Sequence, residues 1–309
     1  MRRIVLSALV LGLLALAWSF APVELDVPEL ALEGLPPANP PPGMSVSALP
    51  TADLGSKAAL AFRGGSFGDE RLFSQSALLV RHPRGDLLID TGLGTHAREH
   101  FATTPFLMRQ FAKLTLHTPA ATRLRANAYD LHELGGIVLT HAHWDHVSGV
   151  PDFPGVPLWM NAAESAFVHA GSRHSALLHS FGKLPTHPYQ FARKPYLGFA
   201  ESFDVWGDGS IVLVPAPGHT PGSILAFVTL PSRRRLALLG DMVWQNDGIE
   251  RPAERPWLLR QMVDSDPERN RAAIEHVAAL HRAFPELELL PAHDARAWAE
   301  LPVFPASAQ

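Results

Sequence analysis

His141-Ala142-His143-Trp144-Asp145-His146 places three imidazoles and a carboxylate within six residues, directly after the apolar run Gly136-Ile137-Val138-Leu139-Thr140. A buried strand that ends in alternating histidines aims several metal donors at one place. Residues two apart on an extended segment share a face, so His141 and His143 can grip one ion while Asp145 and His146 turn toward a second. Surface histidines at the start of a loop are the plain alternative, which further donors elsewhere in the chain would exclude.

Such donors stand just past other apolar strands. Asp90 follows Leu87-Leu88-Ile89, and His219 follows Ile211-Val212-Leu213-Val214 within the turn Pro217-Gly218-His219-Thr220-Pro221-Gly222. Asp241 follows Leu238-Leu239-Gly240, and His293 follows Leu289-Leu290-Pro291-Ala292. If these strand ends share one rim, they supply the six or seven donors, roughly, that a two-metal site needs. The chain has no cysteine, so neither disulfides nor thiolate ligands are available, and any metal must be held by imidazole and carboxylate. That donor set suits zinc, with manganese, iron or cobalt also fitting it.

Around the motif the chain reads as strands, helices, strands and helices in two passes. The expected strands are Ala58 to Phe62, Ser76 to Val80, Asp86 to Asp90, the motif strand, Ile211 to Val214, Ser223 to Thr229, Leu236 to Leu239 and Leu287 to Leu290. Helices are expected over Asn161 to Ala170 and, capped by Asp266 before Pro267, up to about Phe284. Phe106, Leu107, Phe111 and Leu114 form a helical face expected in the core, with an acyl tunnel or a membrane contact as the rival reading. The order implies two sheets packed face to face with helices outside. Gly171 to Ala200 carries His174, His179, His187, Tyr189 and Tyr196 without clear periodicity and is expected to be a lid, its histidines mostly polar surface.

The whole chain has 309 residues, 47% hydrophobic and 18% charged, enough to bury a large core. A net charge of -4 and no basic stripe argue against a nucleic-acid partner; Arg233-Arg234-Arg235 is a short hairpin tip. Arg2 and Arg3 precede an apolar or small run, Ile4 to Phe20, so residues 1–21 are expected to be a signal peptide cleaved after Ala15-Leu16-Ala17, or an uncleaved N-terminal anchor. Either way the protein is expected to be exported, to the periplasm or beyond. Eight prolines between Pro22 and Pro50 mark residues 22–50 as a linker, a tether or a surface strap, with the globular part, 51–309, starting somewhere between Met44 and Ala58.

Taken together, Asp90-Thr91-Gly92, the His141-x-His143-x-Asp145-His146 signature, Gly218-His219-Thr220-Pro221-Gly222, Gly240-Asp241 and Pro291-Ala292-His293-Asp294 resemble the metallo-β-lactamase superfamily of hydrolases. The resemblance runs from Ala58 to about Trp298, and its spacings of 73, 22 and 52 residues from His146 to His219, Asp241 and His293 fit. It implies an α/β fold, the αββα four-layer sandwich with two mixed sheets. It assigns His141, His143 and His219 to one metal, Asp145, His146 and His293 to the other, and Asp241 as the bridge, with Asp90 supporting the site through hydrogen bonds. In that reading two divalent ions about 3.5 to 4 Å apart activate a water between them as nucleophile, and Asp145 orients it or carries its proton away.

Within the superfamily, Asp241 argues against a true β-lactamase, His143 against flavodiiron proteins, and the want of basic segments against RNA processing. The N-acyl homoserine lactonase and organophosphate hydrolase branch fits best, with Trp144, Trp159, Trp244, Tyr189 and Tyr196 as candidate pocket aromatics. The chain departs from it at Ser223, where many relatives have histidine, and it has no certain counterpart of the lactonase tyrosine. The expected substrate is a small lactone or ester, with a phosphotriester or thioester as the alternative on the same site. A thiol or persulfide dioxygenase with a single iron is the alternative of another class. A homodimer is the other expected partner, and a membrane enters only through the N-terminal segment if that is uncleaved.

Overall fold

The computed structural model describes residues 2–309, with side chains from residue 6 onward except residue 8. The Arg2 and Arg3 side chains of the leader lie outside the described residues. Among the described residues, twelve strands form: β1 (Ser45–Lys57), β2 (Glu70–Arg81), β3 (Asp86–Ile89), β4 (Lys113–Leu116), β5 (Leu134–Val138), β6 (Leu158–Asn161), β7 (Thr186–Tyr189), β8 (Phe203–Asp204), β9 (Ile211–Pro215), β10 (Ile224–Thr229), β11 (Arg235–Gly240) and β12 (Leu287–Pro291). They build a seven-stranded sheet ordered β4-β1-β2-β3-β5-β6-β7 and a five-stranded sheet ordered β12-β11-β10-β9-β8. Both are mixed. β3, β5, β6 and β7 run parallel, as do β11 and β12, while the hairpins β1–β2, β2–β3, β9–β10 and β10–β11 are antiparallel.

The strands are apolar on both faces because each sheet is covered on both sides. Along β10, Ile224, Ala226 and Val228 point into the core between the sheets, and Leu225 and Phe227 point outward to the helix Pro267–Ala283. β2 alternates likewise: Leu78 and Val80 meet the other sheet, while Ala77 and Leu79 meet the outer helices near Ala121, Leu124 and Val168. Two such faces per sheet give three stacked cores and the four-layer αββα order expected from the sequence.

Several local expectations are corrected. Ala58 to Phe62 is not a strand; Ala58–Ala61 is one helical turn, packed inward on Phe62 and Phe73. The globular part starts earlier than residue 51, because Ser45 to Pro50 already pair with Arg81 to Ser76 in the β1–β2 ladder. Upstream, the proline-rich segment is a strap, not a loose tether: Leu25 is buried and Val23, Val27, Leu30, Leu32 and Leu35 pack on the outer face of the second sheet. The helix Phe106–Phe111 carries Phe106, Leu107 and Phe111 on the outside, 63, 56 and 64% exposed, and only Met108 turns inward. Gly171 to Ala200 is no free lid, since Thr186–Tyr189 is the edge strand of the large sheet.

The leader is helical over Arg2–Phe20. Among the described residues, no helix is long and apolar enough to cross a membrane.

Candidate metal centre

Parallel alignment delivers the donors to one edge. β3, β5, β9, β11 and β12 all end there, and the loops that follow carry Asp90, His141 with His143, His219, Asp241 and His293. After His143 the chain turns into a short helix, Trp144–Val147, which swings Asp145 and His146 back toward the same spot. Gly240 adopts a left-handed φ of 52°, and a Cβ there would sit 3.2 Å from that of Thr140. The loop bearing Asp241 can therefore close directly over the one bearing His141.

Three sets of donors come together, each with its ligand atoms within 4.8 Å of one another: His141, His143 and His219; His141, His146 and Asp241; Asp145, His146 and His293. Every set draws on both sheets. The Nε2 atoms of His141, His143 and His219 are buried and have no hydrogen-bond partner among the described residues. Three orphaned imidazole nitrogens converging at one point are costly unless something accepts their lone pairs, and a cation does. The residues present thus fit a divalent ion. Asp241 lies between the groups: its carboxylate oxygens stand 3.5 Å from His219 Nε2, 3.1 Å from His146 Nε2 and 3.0 Å from His293 Nε2. Asp145 reaches His293 Nε2 at 3.5 Å.

The electrostatics suit a cation. Burial, reinforced by neighbouring histidines, holds His141 and His143 well below the usual imidazole range, so both are neutral donors. Burial also opposes charge on His146, but Asp90 and Asp241 outweigh it and raise that histidine well above its ordinary value. Asp241 is held well below the carboxylate range, since His293 and His146 overcome the cost of its burial. Asp145 is pushed up by burial despite both histidines. The Asp90 and Asp241 carboxylates that favour a proton on His146 would equally favour a cation in its place.

Three of the donors, His146, His219 and His293, are held from behind. Asp90, in a left-handed backbone conformation with φ 55°, accepts from Thr140 N at 2.8 Å and Thr140 Oγ1 at 2.6 Å, and its Oδ2 meets His146 Nδ1 at 2.8 Å. His293 Nδ1 donates to the Ser74 carbonyl at 2.8 Å. His219 Nδ1 faces Asp264 Oδ1 at 2.8 Å, and Asp264 is paired with the buried guanidinium of Arg255. Such partners fix ring orientation and leave Nε2 facing the centre. Glu164, buried in the helix Ala162–His169, accepts from Ala142 N at 2.6 Å, Thr220 Oγ1 at 2.7 Å and Gly222 N at 3.0 Å, tying the His141 loop to the His219 turn.

Asp264, Arg255 and Glu164 escaped the sequence reading because single carboxylates and arginines carry no diagnostic spacing. The one cue was Asn161, the N-cap of a helix with Glu164 at its third position, a pattern that reads as capping. Here the glutamate faces inward instead.

Of the expected pocket residues, two lie at the centre and three do not. Trp244 Nε1 donates to Asp241 Oδ2 at 2.9 Å, and Trp144 is half-buried against Phe101 at 5.8 Å between ring centroids. Tyr189 is instead a core residue, stacked on Phe203 at 5.0 Å between the sheets, because its ring fills apolar volume at the end of β7. Tyr196 packs on Phe227 at 5.3 Å on the outer face of the second sheet, remote from the donors. Trp159 belongs to the inter-sheet core and stacks on His187. Of the lid histidines, only His174 approaches the donors, its ring centroid 5.4 Å from that of His143. Ser223, at the point of departure from the family pattern, bonds Thr220 N and Thr220 Oγ1 within its own turn.

Residues 71–293 match the Metallo-beta-lactamase superfamily. A probable metallo-hydrolase of Mycobacterium tuberculosis is 29% identical over 238 residues, covering 70% of this chain and 73% of that protein. The N-acyl homoserine lactonase AttM of Agrobacterium fabrum is 26% identical over 230 residues, covering 72% of this chain and 82% of that one. A solved N-acyl homoserine lactone hydrolase, with N-hexanoyl-L-homoserine at its catalytic metal center, is similar in fold with a TM-score of 0.66 at 16% identity, covering 85% of this chain and 98% of the other.

Proposed function

The chain belongs to the metallo-beta-lactamase superfamily and is a metal-dependent hydrolase, and from that premise we propose that it is an exported two-metal enzyme that opens lactones or simple esters of small molecules. The observation that carries the two-metal reading is Asp241, whose carboxylate meets one histidine of the first group and two of the second. The second group, Asp145, His146 and His293, favours two ions over the single iron of a dioxygenase. Resemblance to proteins named as homoserine lactonases supports the lactone substrate, and the apolar leader after Arg2 and Arg3 supports export.

His141, His143 and His219 would hold one ion, Asp145, His146 and His293 the other, with Asp241 shared. Bound there, the ions would supply Lewis acidity toward the carbonyl oxygen and an acidified water as nucleophile. The protein's own part is positional and protonic. Asp145, whose Oδ2 stands 3.5 Å from His293 Nε2 at the centre, is placed to take up the proton released on attack and return it to the leaving alkoxide. Trp244 fixes one oxygen of Asp241 through its indole N–H, so the shared carboxylate cannot rotate freely. Trp144 and Phe101 give the substrate an apolar wall.

Metal content per chain, measured together with hydrolysis of lactones, aryl esters, thioesters and phosphotriesters, tests this. Two ions per chain and turnover of lactones or esters are expected. A single iron with oxygen uptake would sink the hydrolase mechanism, and turnover of phosphotriesters alone would remove the lactone assignment while leaving a two-metal hydrolase.

A further inference from the structure

The leader helix has no side suited to water. Leu6, Leu9, Val10, Leu11, Leu13 and Leu14 are all exposed and, at 100° per residue, point around most of its circumference, with Gly12 and Ala15 filling part of the remainder. A protein groove would cover one stripe of such a helix, whereas hydrocarbon covers it on all sides. Its end is nevertheless locked to the body. Arg63, buried, donates to the carbonyls of Ala21 at 2.9 Å and Trp18 at 2.8 Å, and Ser19 Oγ accepts from Leu258 N at 3.0 Å. Trp18 meets Trp257 at 6.3 Å, and Phe20 meets Phe67 at 5.0 Å. The helix therefore leaves the body at a fixed place.

Three of the body's exposed apolar residues, Phe67, Trp257 and Leu258, touch the leader's end. Phe67 lies in the loop whose Ser66 and Asp69 carbonyls accept from Ala59 N and Ala58 N, and Ser56, at the end of β1 just before that turn, donates through its Oγ to the Phe111 carbonyl at 2.9 Å. The helix Phe106–Phe111 turns its phenyl rings outward, while Met108 and Ala112 pack against Leu54, Phe62 and Phe73, the same cluster that carries Trp144 and Trp244. Residues 56–59 thus tie both Phe67, at the leader's exit, and the outward helix Phe106–Phe111 to the end of β1, with Lys57, paired to Glu70, between them and the cluster that carries Trp144 and Trp244 under the helix.

We infer that this surface, Phe67, Phe106, Leu107 and Phe111 with the retained leader helix, rests in a lipid bilayer and opens the metal centre toward it, so that the substrates are lactones or esters with long acyl chains drawn from the membrane. The substrate part rests on the hydrolase reading; the membrane part does not. The all-round apolar leader, held against Phe67, selects lipid over a second copy of the chain as the occupant.

The full-length protein should float with vesicles of phosphatidylethanolamine and phosphatidylglycerol, and Leu11→Asp with Leu14→Asp should cut the floated fraction by about tenfold or more, since two charges then oppose burial. On vesicles, amide hydrogen exchange over 106–111 should slow by about tenfold, and Phe106→Asp with Phe111→Asp should abolish that slowing. The same pair should lower turnover of a long-chain ester in vesicles by about tenfold while hydrolysis of a short-chain ester in water stays within about twofold. A full-length chain that stays soluble, exchange at 106–111 that vesicles leave unchanged, or protection already present without vesicles through self-association would each overturn the membrane surface. An unchanged ratio of long-chain to short-chain turnover would overturn the substrate class. If no ester is hydrolysed while flotation and protection hold, the hydrolase reading fails and the membrane surface stands.

Discussion

Asp264 Oδ1 stands 2.8 Å from Nδ1 of His219, and the guanidinium of Arg255 pairs with the same oxygen. Burial works against the Asp264 charge, but Arg255 and His219 outweigh it and hold the carboxyl below its usual range. Arg255 also donates to the Asp241 carbonyl at 2.7 Å, so one ion pair steadies two of the proposed ligand loops.

Asp264→Ala should therefore leave a buried arginine facing an unanchored His219. Metal affinity is expected to fall by about 10- to 100-fold, the usual consequence of losing the partner behind a ligand histidine. Competition with a chromophoric chelator measures it. Equal affinity in variant and parent would mean that Asp264 does not orient His219.

Asp241→Asn should separate the two ions. Metal content is expected to drop from two per chain toward one, with lactone or ester turnover lost, because a neutral amide bridges cations poorly. His143→Ala should abolish turnover as well. Survival of turnover with full metal content in either variant would refute the ligand assignment.

Glu164 predicts a pH signature. Its burial pushes the carboxyl up to about 7, against hydrogen bonds from Thr220, Ala142 and Gly222 that pull it down. The folded chain therefore holds a proton that the unfolded chain releases near its ordinary value of 4.5. Stability from this group is complete below that value, declines as pH rises toward 7 and changes no further above it. The decline corresponds to about 3 kcal/mol, of which other groups could mask part. Glu164→Gln should flatten the fall in melting temperature over this window in metal-free protein, while lowering the level throughout, since an amide cannot accept at both positions.

Gly222→Ala tests the close approach of the His219 turn to the helix beneath it. An added Cβ would lie 2.2 Å from Glu164 N, so backbone must move. A loss of about 3 kcal/mol in unfolding free energy is expected, with weakened metal binding, as read by denaturant titration with and without added zinc.

Tyr189→Phe separates a core tyrosine from a substrate-binding one. The Tyr189 hydroxyl is buried without a hydrogen-bond partner among the described residues. Its removal should leave turnover unchanged and stability equal or higher by up to about 1 kcal/mol. A specific fall in kcat would return this residue to the pocket.

The residues that read clearly in sequence were those whose chemistry admits few substitutes. His141, His143, His219 and Asp241 are metal-donor types set after strands, and strands β9 to β12 are apolar at nearly every position, as a sheet covered on both faces needs. What did not read was direction. Six residues of helix give too little periodicity to tell an inward face from an outward one, so Phe106 and Phe111 were assigned to the core they do not enter. Ala58 to Phe62 is as apolar as a strand and as short as a helical turn, and tertiary packing chose the turn. Asp264 and Glu164 are placed by chain segments far from the motif, which local spacing cannot convey.

Each of the three donor sets takes side chains from both sheets. On the proposed assignment, neither half of the sandwich can hold an ion alone, so docking of the halves and loading of the centre are a single equilibrium. Starving the protein of metal would then show first as heat lability and proteolytic nicking, and the ions would behave as rivets of the fold as much as reagents of the reaction.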